Sequence, residues 1–253
     1  MVRARGMADV PERSEFTHTG LECYSSQHEG QVFREDEACA YGDAIVAGSI
    51  TPFARLTMEP KSQFALDAVL RSQWEELQRN DARAASVFYF NHILAAVVSY
   101  HQSRPAPDVS CELLISLMGF SPETTVLATT FVRPKRLVIV ASKSAESYSE
   151  QCIEFLDRQA LLAREATRVR FVDPTNHHVL HQTLQEEIRG SNGRCLVDLT
   201  GGKKVMSAVA GYAAWSLGIP ICYLESRAYN EQMRRPEPGS EELFILEPPA
   251  NRT

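Results

Sequence analysis

From residue 109 onward, apolar runs of strand length alternate with longer stretches of helical spacing, and this alternation limits the fold more than any other feature. The strand runs are Cys111–Phe120, Arg136–Ala141, Arg168–Val172, Cys195–Leu199, Ile221–Leu224 and a terminal Glu242–Leu246. Helical patterns fill the gaps at Glu123–Val132, Ser147–Arg164, Asn176–Arg189 and Lys203–Leu217. Strands that are apolar at nearly every position are buried on both faces, as in a parallel sheet covered by helices on each side. The expected architecture of 109–253 is a Rossmann-like, mostly parallel α/β domain.

The preceding part of the chain reads differently. Residues 1–40 are polar, rich in Glu, Ser and His, and lack periodicity, which predicts a flexible lead. Two short β-like runs, Ala44–Ile50 and Phe53–Met58, come next. Ser62–Arg79 then places Phe64, Leu66, Val69, Leu70, Trp74 and Leu77 near a 3.6-residue period, and Ala82–His101 repeats the pattern with Phe88, Leu94, Val97 and Val98. Residues 41–104 are therefore expected to form a smaller, mainly helical region, an effector or dimerisation module. Arg104-Pro105-Ala106-Pro107-Asp108 is a stiff polar connector and the expected boundary.

Composition narrows the function classes. A net charge of −6 argues against generic duplex nucleic-acid binding, which runs on phosphate neutralisation. The six cysteines form no CxxC pair, so neither disulfides nor structural zinc is expected, and the chain reads as cytoplasmic. The most apolar stretch, Ala84–Tyr100, contains Asn91 and His92 and is shorter than the roughly 20 apolar residues of a membrane span.

The densest chemical signal is the turn Thr200-Gly201-Gly202-Lys203-Lys204, between a buried strand and an amphipathic helix. Two glycines permit a sharp turn and leave backbone amides uncovered. Two lysines at a helix start oppose the helix dipole, which favours negative charge there, and make sense if an anion sits between them and the amides. A plain glycine turn with solvated lysines is the competing explanation. Neither GxxxxGK[ST] nor GxGxxG is present. In an open α/β sheet the loops after the strands share one edge, where ligands collect. Here those loops are Gly119-Phe120-Ser121-Pro122-Glu123-Thr124, then Ser142-Lys143-Ser144, then the glycine turn. Hydroxyls, amides and lysines would converge there on a polyanionic ligand. Asp173 ends another strand and suits either a helix cap or a ribose contact.

Gly119-Phe120-Ser121-Pro122-Glu123, Ser142, and above all Asp198-Leu199-Thr200-Gly201-Gly202-Lys203-Lys204-Val205-Met206-Ser207 resemble the CRISPR-associated Rossmann fold, or CARF, over residues 109–253. Many members carry Thr-Lys or Ser-Lys after the glycines, whereas this chain has Lys203-Lys204. The resemblance implies a homodimeric sensor of type III CRISPR antiviral defence. Such a sensor binds a cyclic oligoadenylate, expected to be cyclic tetra-adenylate, across a two-fold axis and relays binding to the N-terminal region or to an effector partner. It implies a ligand set of Gly119, Phe120, Ser121, Pro122, Thr124, Ser142, Lys143, Ser144, Thr200, Gly201, Gly202, Lys203, Lys204 and Met206. Met206 also reads as a core residue, and adenine rings would fit against Phe120, Met206 or Tyr229. A symmetric ring of phosphates suits an isologous dimer in which each subunit presents the same cradle.

Two enzymatic readings stay open. Some CARF domains cleave the messenger by metal-independent attack of a ribose 2′-hydroxyl, for which Lys203, Lys204 or Ser142 would stabilise developing charge. Asp43 with Glu59-Pro60-Lys61 follows the order of carboxylate and ExK in metal-dependent nucleases, although Pro60 would interrupt a strand. No cofactor is expected. His177, His178 and His181 lack a third ligand and an HExxH-like base, which favours a solvated helix start.

Overall fold

The computed structural model describes residues 64–105, 109–230 and 235–248. The 1–40 lead, the runs at 44–58 and the Asp43/Glu59 pair lie outside these residues. A six-stranded sheet organises the rest. Its strands are β1 (Leu113–Met118), β2 (Arg136–Ala141), β3 (Thr167–Phe171), β4 (Cys195–Asp198), β5 (Ile221–Ser226) and β8 (Glu241–Leu246), in the order β3-β2-β1-β4-β5-β8. The first five are mutually parallel. The last runs antiparallel to β5, with Ile221 opposite Leu246 and Ser226 opposite Glu241. A small ribbon of β6 (Tyr229–Asn230) and β7 (Arg235–Pro236), absent from the sequence reading, lies in the connection that turns the chain back.

Alternate residues of each strand feed separate cores, as a pleat with period two requires. Leu114, Met118, Leu137, Ile139, Leu196 and Cys222 point to one face. Leu113, Ile115, Leu117, Val138, Val140 and Val197 point to the other. On the second face lie α6 (His177–Arg189) and α7 (Lys204–Ser216), through Leu180, Leu184, Met206 and Ala210. On the first lie α4 (Pro122–Val132) and α5 (Glu146–Arg158). The helices of the N-terminal region, α1 (Ala68–Asn80), α2 (Ala82–Phe88) and α3 (Leu94–Ser103), together with the π-turn Tyr89–Ile93 between the last two, contribute Trp74, Phe90, Ile93, Leu94 and Val97 to that same core. The chain thus has the expected α/β Rossmann-like fold, and the connector at 104–108 joins elements that share one hydrophobic core.

Local chemistry explains the helix boundaries. Asp67 caps α1 by accepting from the amides of Val69 at 2.9 Å and Leu70 at 3.1 Å. Asp81 stops α1 and caps α2 through the amides of Arg83 at 2.9 Å and Ala84 at 3.0 Å. The single helix expected over Ala82–His101 is interrupted by a π-turn at Tyr89–Ile93, a local widening that hydrophobic spacing does not encode. Buried polar groups tie these helices to the sheet edge. His101 Nε2 lies 3.0 Å from Glu241 Oε2, and Glu241 also takes a hydrogen bond from Tyr89. Desolvation, with Glu241 beside it, pushes the Tyr89 phenol well above its ordinary pKa. No helix among the described residues is long and apolar enough to cross a membrane.

Candidate functional site

The strand order reverses between β1 and β4: α4 leaves β1 on one face of the sheet and α7 leaves β4 on the other. Such a divergence opens a crevice at the carboxyl ends of the two strands. The loop after β4 fills the floor of that crevice by leaning back on β1. A Cβ on Gly201 would lie 2.1 Å from the Leu117 carbonyl oxygen and 3.3 Å from Met118 Cα, both backbone atoms. Gly202 adopts φ +80°, in the left-handed region that favours glycine. Gly119, ending β1, faces this turn, with its Cβ position 3.6 Å from the Gly202 amide nitrogen. The glycines are therefore where the two loops meet backbone to backbone.

A buried hydroxyl–carboxylate chain holds the loop from below. Asp198, fully buried, accepts from Ser116 Oγ at 2.6 Å, from Thr200 Oγ1 at 2.6 Å and from the Thr200 amide at 3.0 Å. Thr200 Oγ1 in turn accepts from the Leu224 amide at 2.8 Å, and Ser116 Oγ lies 2.9 Å from Thr125 Oγ1 of α4. Burial raises the Asp198 pKa, opposed by the hydrogen bonds from Ser116 and Thr200. Four elements are thereby tied at one point. The sequence motif contains Asp198 without indicating its role, which emerges from the strand register that sets it opposite Ser116.

Above this anchor the rim is open and basic. Lys203 precedes α7 and no side chain caps the helix start, while Lys203 and Lys204 are both exposed. The first-turn amides of α7 have no intrahelical acceptor, as at any helix start, so partial positive charge sits beside two exposed lysines, of which Lys204 borders the adjoining cleft. Leu199, Thr200, Gly202, Lys204, Ser207 and Tyr223 line a cleft of about 330 Å³ beside it. Ser207 Oγ donates to the Leu199 carbonyl at 3.0 Å, fixing the helix start to the strand end.

The remaining ligand-set residues divide by position. Phe120 is 59% exposed and meets Tyr148 edge to face at 5.6 Å, and Ser121 beside it is exposed. Thr124 Oγ1 donates to the Ser121 carbonyl at 2.9 Å. Ser142 and Ser144 share a hydrogen bond at 2.8 Å, and Lys143 pairs with Glu146 at 2.5 Å. Pro122 is buried at the first position of α4. Met206 is only 2% exposed and packs under Gly202, so its side chain belongs to the core and not to the rim. The Thr200 hydroxyl is likewise spent on Asp198 and Leu224, which makes Thr200 a support for the cradle. Tyr229 is exposed on β6. Asp173 accepts from the amide and hydroxyl of Thr175, while Asn176 caps α6 through the Val179 amide at 3.1 Å. His177 and His178 are exposed at the start of α6, and no cluster of three metal-ligating side chains occurs among the described residues.

No protein-family model matches the chain, and no curated protein matches it by sequence. Solved structures that superpose on it include Can2 from Sulfobacillus thermosulfidooxidans in complex with cyclic tetra-adenylate, 14% identical over 49% of this chain and 36% of that one, with a TM-score of 0.40. Csm6 from Enterococcus italicus bound to cyclic hexa-2′-fluoro-hexa-dAMP is 15% identical over 46% and 34%, with a TM-score of 0.36. An O-methyltransferase family protein from Burkholderia thailandensis is 10% identical over 68% and 62%, at 0.38. The chain spans about a third of the length of the first two. With TM-scores of 0.40 or lower and identities of 15% or lower, these likenesses leave function to be argued from this chain's own residues.

Proposed function

We propose that this chain is a cytoplasmic sensor of cyclic oligoadenylate, cyclic tetra-adenylate being the first candidate, in type III CRISPR defence. The observation that carries the reading is the crevice between β1 and β4. There a backbone-on-backbone glycine turn, an uncapped helix start and two exposed lysines concentrate positive potential where the strand order reverses. The motif resemblance supplies the identity of the anion; the geometry supports only its class.

The messenger would be held by a homodimer. The outer face of α6 and α7 supports that reading: Tyr212 is 71% and Trp215 42% exposed, and Val205 and Val179 stand out beside them. Val205, Tyr212 and Trp215 share one side of α7, and His181 of α6 lies against Tyr212 at 5.9 Å between ring centroids. Large aromatics in such a stripe are the residues that anchor protein interfaces. The face starts in the first turn of α7, so two copies joined there would bring two lysine pairs close together. Binding would then be relayed to α1–α3 through the core those helices share with the sheet.

Isothermal titration of the full chain with cyclic tetra- and hexa-adenylate tests the proposal. One ring should bind at micromolar protein. Lys203→Ala with Lys204→Ala should weaken it at least tenfold, about 1.4 kcal/mol, with the ligand-free melting temperature unchanged. Absence of heat with either ring refutes the reading.

A further inference from the structure

A second cleft, of about 420 Å³, opens where β2 and β3 end, and its walls include Ser142, Lys143, Ser144, Phe171 and Asp173. Phe171 closes β3 yet leaves 40% of its surface exposed, with the Lys143 ammonium 4.8 Å from its ring centroid. The ammonium lies over one face of the ring and also pairs with Glu146, so a flat ring would stack on the opposite face, and an attached phosphate would compete with the Glu146 carboxylate for the cation. Asp173 adds a third feature. Its Oδ1 takes both Thr175 bonds, at 2.8 Å from the amide and 2.7 Å from the hydroxyl, and its Oδ2 has no hydrogen-bond partner among the described residues. Those two bonds hold the Asp173 carboxyl below its ordinary pKa, with a further contribution from Lys203, so it stays ionised. The strand order β3-β2-β1-β4, with all four strands parallel, puts this cleft on the same sheet edge as the glycine cradle.

An ionised carboxylate on the rim of an anion site repels phosphate, so it is useful there only toward a donor. A carboxylate accepts and never donates, and an exocyclic amine on a base is the donor that matches it. The Ser142 and Ser144 hydroxyls, bonded to each other at 2.8 Å, retain capacity for a sugar.

We propose that this cleft is a base-reading subsite for an adenine nucleotide: the base stacks on Phe171, its exocyclic amine donates to Asp173 Oδ2, and Lys143 meets its phosphate. The assignment to the messenger's own adenines rests on the sensor reading above. Asp173 becomes the residue that distinguishes adenine, with an amine at its sixth position, from hypoxanthine, with a carbonyl there that the carboxylate repels.

The test titrates the full chain with cyclic tetra-adenylate and with its inosine counterpart. The unaltered protein should prefer the adenylate ring at least tenfold. Asp173→Asn, whose amide both donates and accepts, should reduce that preference to within about threefold. Phe171→Ala should weaken both rings about tenfold, in line with the loss of a stacked base. If the rings bind but neither substitution alters affinity or preference, the subsite is overturned and the sensor reading stands. If neither ring binds, the sensor reading fails, and photolabelling with 8-azidoadenosine monophosphate decides the cleft. Label on 171–174 upholds the subsite for a free adenine nucleotide, and label elsewhere or nowhere overturns it.

Discussion

Gly201→Ala is the substitution with the most sharply defined consequence. The added methyl carbon would sit 2.1 Å from the Leu117 carbonyl oxygen, 3.1 Å from the Leu117 carbonyl carbon and 3.3 Å from Met118 Cα. Ordinary contact begins near 3.4 Å, so the turn must retreat by more than ~1 Å, and no side chain can rotate away because every clashing atom is backbone. The turn is also tethered by the Asp198–Thr200–Leu224 bonds, which resist that displacement. Overpacking of this kind costs about 1–3 kcal/mol. For a chain of this size that corresponds to a fall in melting temperature of roughly 4–8 °C for a mid-range penalty. Two neighbours serve as controls in the same calorimetric series. Gly119→Ala meets nothing closer than 3.6 Å and should stay within about 0.5 kcal/mol of the parent. Gly218→Ala, at φ +69° with nothing within 4 Å, should lose about 1 kcal/mol through backbone strain alone. A Gly201→Ala protein no less stable than Gly119→Ala would refute the claim that the two loops touch backbone to backbone.

Asp198→Asn tests the buried anchor. Because burial raises the carboxyl's pKa in the folded protein, the fold holds a proton that the unfolded chain has released, and this stabilising contribution is present below 3.8 and lost as pH rises through the folded value. The asparagine can keep partners at Ser116 and Thr200 without a charge. The stability difference between variant and parent should therefore shift in the variant's favour above pH 4, by up to ~1.4 kcal/mol per pH unit within the window, and a pH-independent difference in denaturant titrations would count against the assignment. Tyr212→Ser with Trp215→Ser removes the exposed aromatics of α7 on which the proposed homodimer rests; truncating an interface anchor costs about 2 kcal/mol, so light scattering should show a dimer for the parent and a monomer for the double variant. A double variant that remains dimeric would place the interface elsewhere.

Much of the domain was legible in the residue order. Arg136–Ala141 is both the expected and the observed second strand, while in the N-terminal region the helix expected from Ser62 begins at Ala68. The other boundaries of the α/β part moved by a few residues at most, apart from its second helix, which ends at Arg158. That helix stops early because Ala160 turns into the left-handed region and the chain continues through a short 3₁₀ turn, neither of which apolar spacing reports. The glycine turn was also visible as a candidate anion site, since backbone freedom and lysine charge are properties of residue type. Whether a side chain at that turn faces solvent or core was legible only in part: Met206 already read as a core residue as well as a ligand contact, whereas residue type gave no sign that the Thr200 hydroxyl is spent inside the fold. Met206 and Thr200 lie within a few residues of Lys203, yet one is packed under Gly202 and the other bonded to Asp198 and Leu224.

The sequence by itself determined the alternation of strand and helix, the two-sided burial of the sheet and the presence of a glycine–lysine turn, because each depends on local periodicity or on the conformational range of single residues. Only the tertiary structure decided which loops meet. The crevice needs β1 and β4 side by side with helices leaving on opposite faces, although some 80 residues of chain separate the two strands. It likewise decided that Ser116 and Thr200 share one carboxylate and that Phe171 and Asp173 border the same cleft as Ser142. Those contacts depend on strand order and register, and both are settled by how all the apolar faces pack at once.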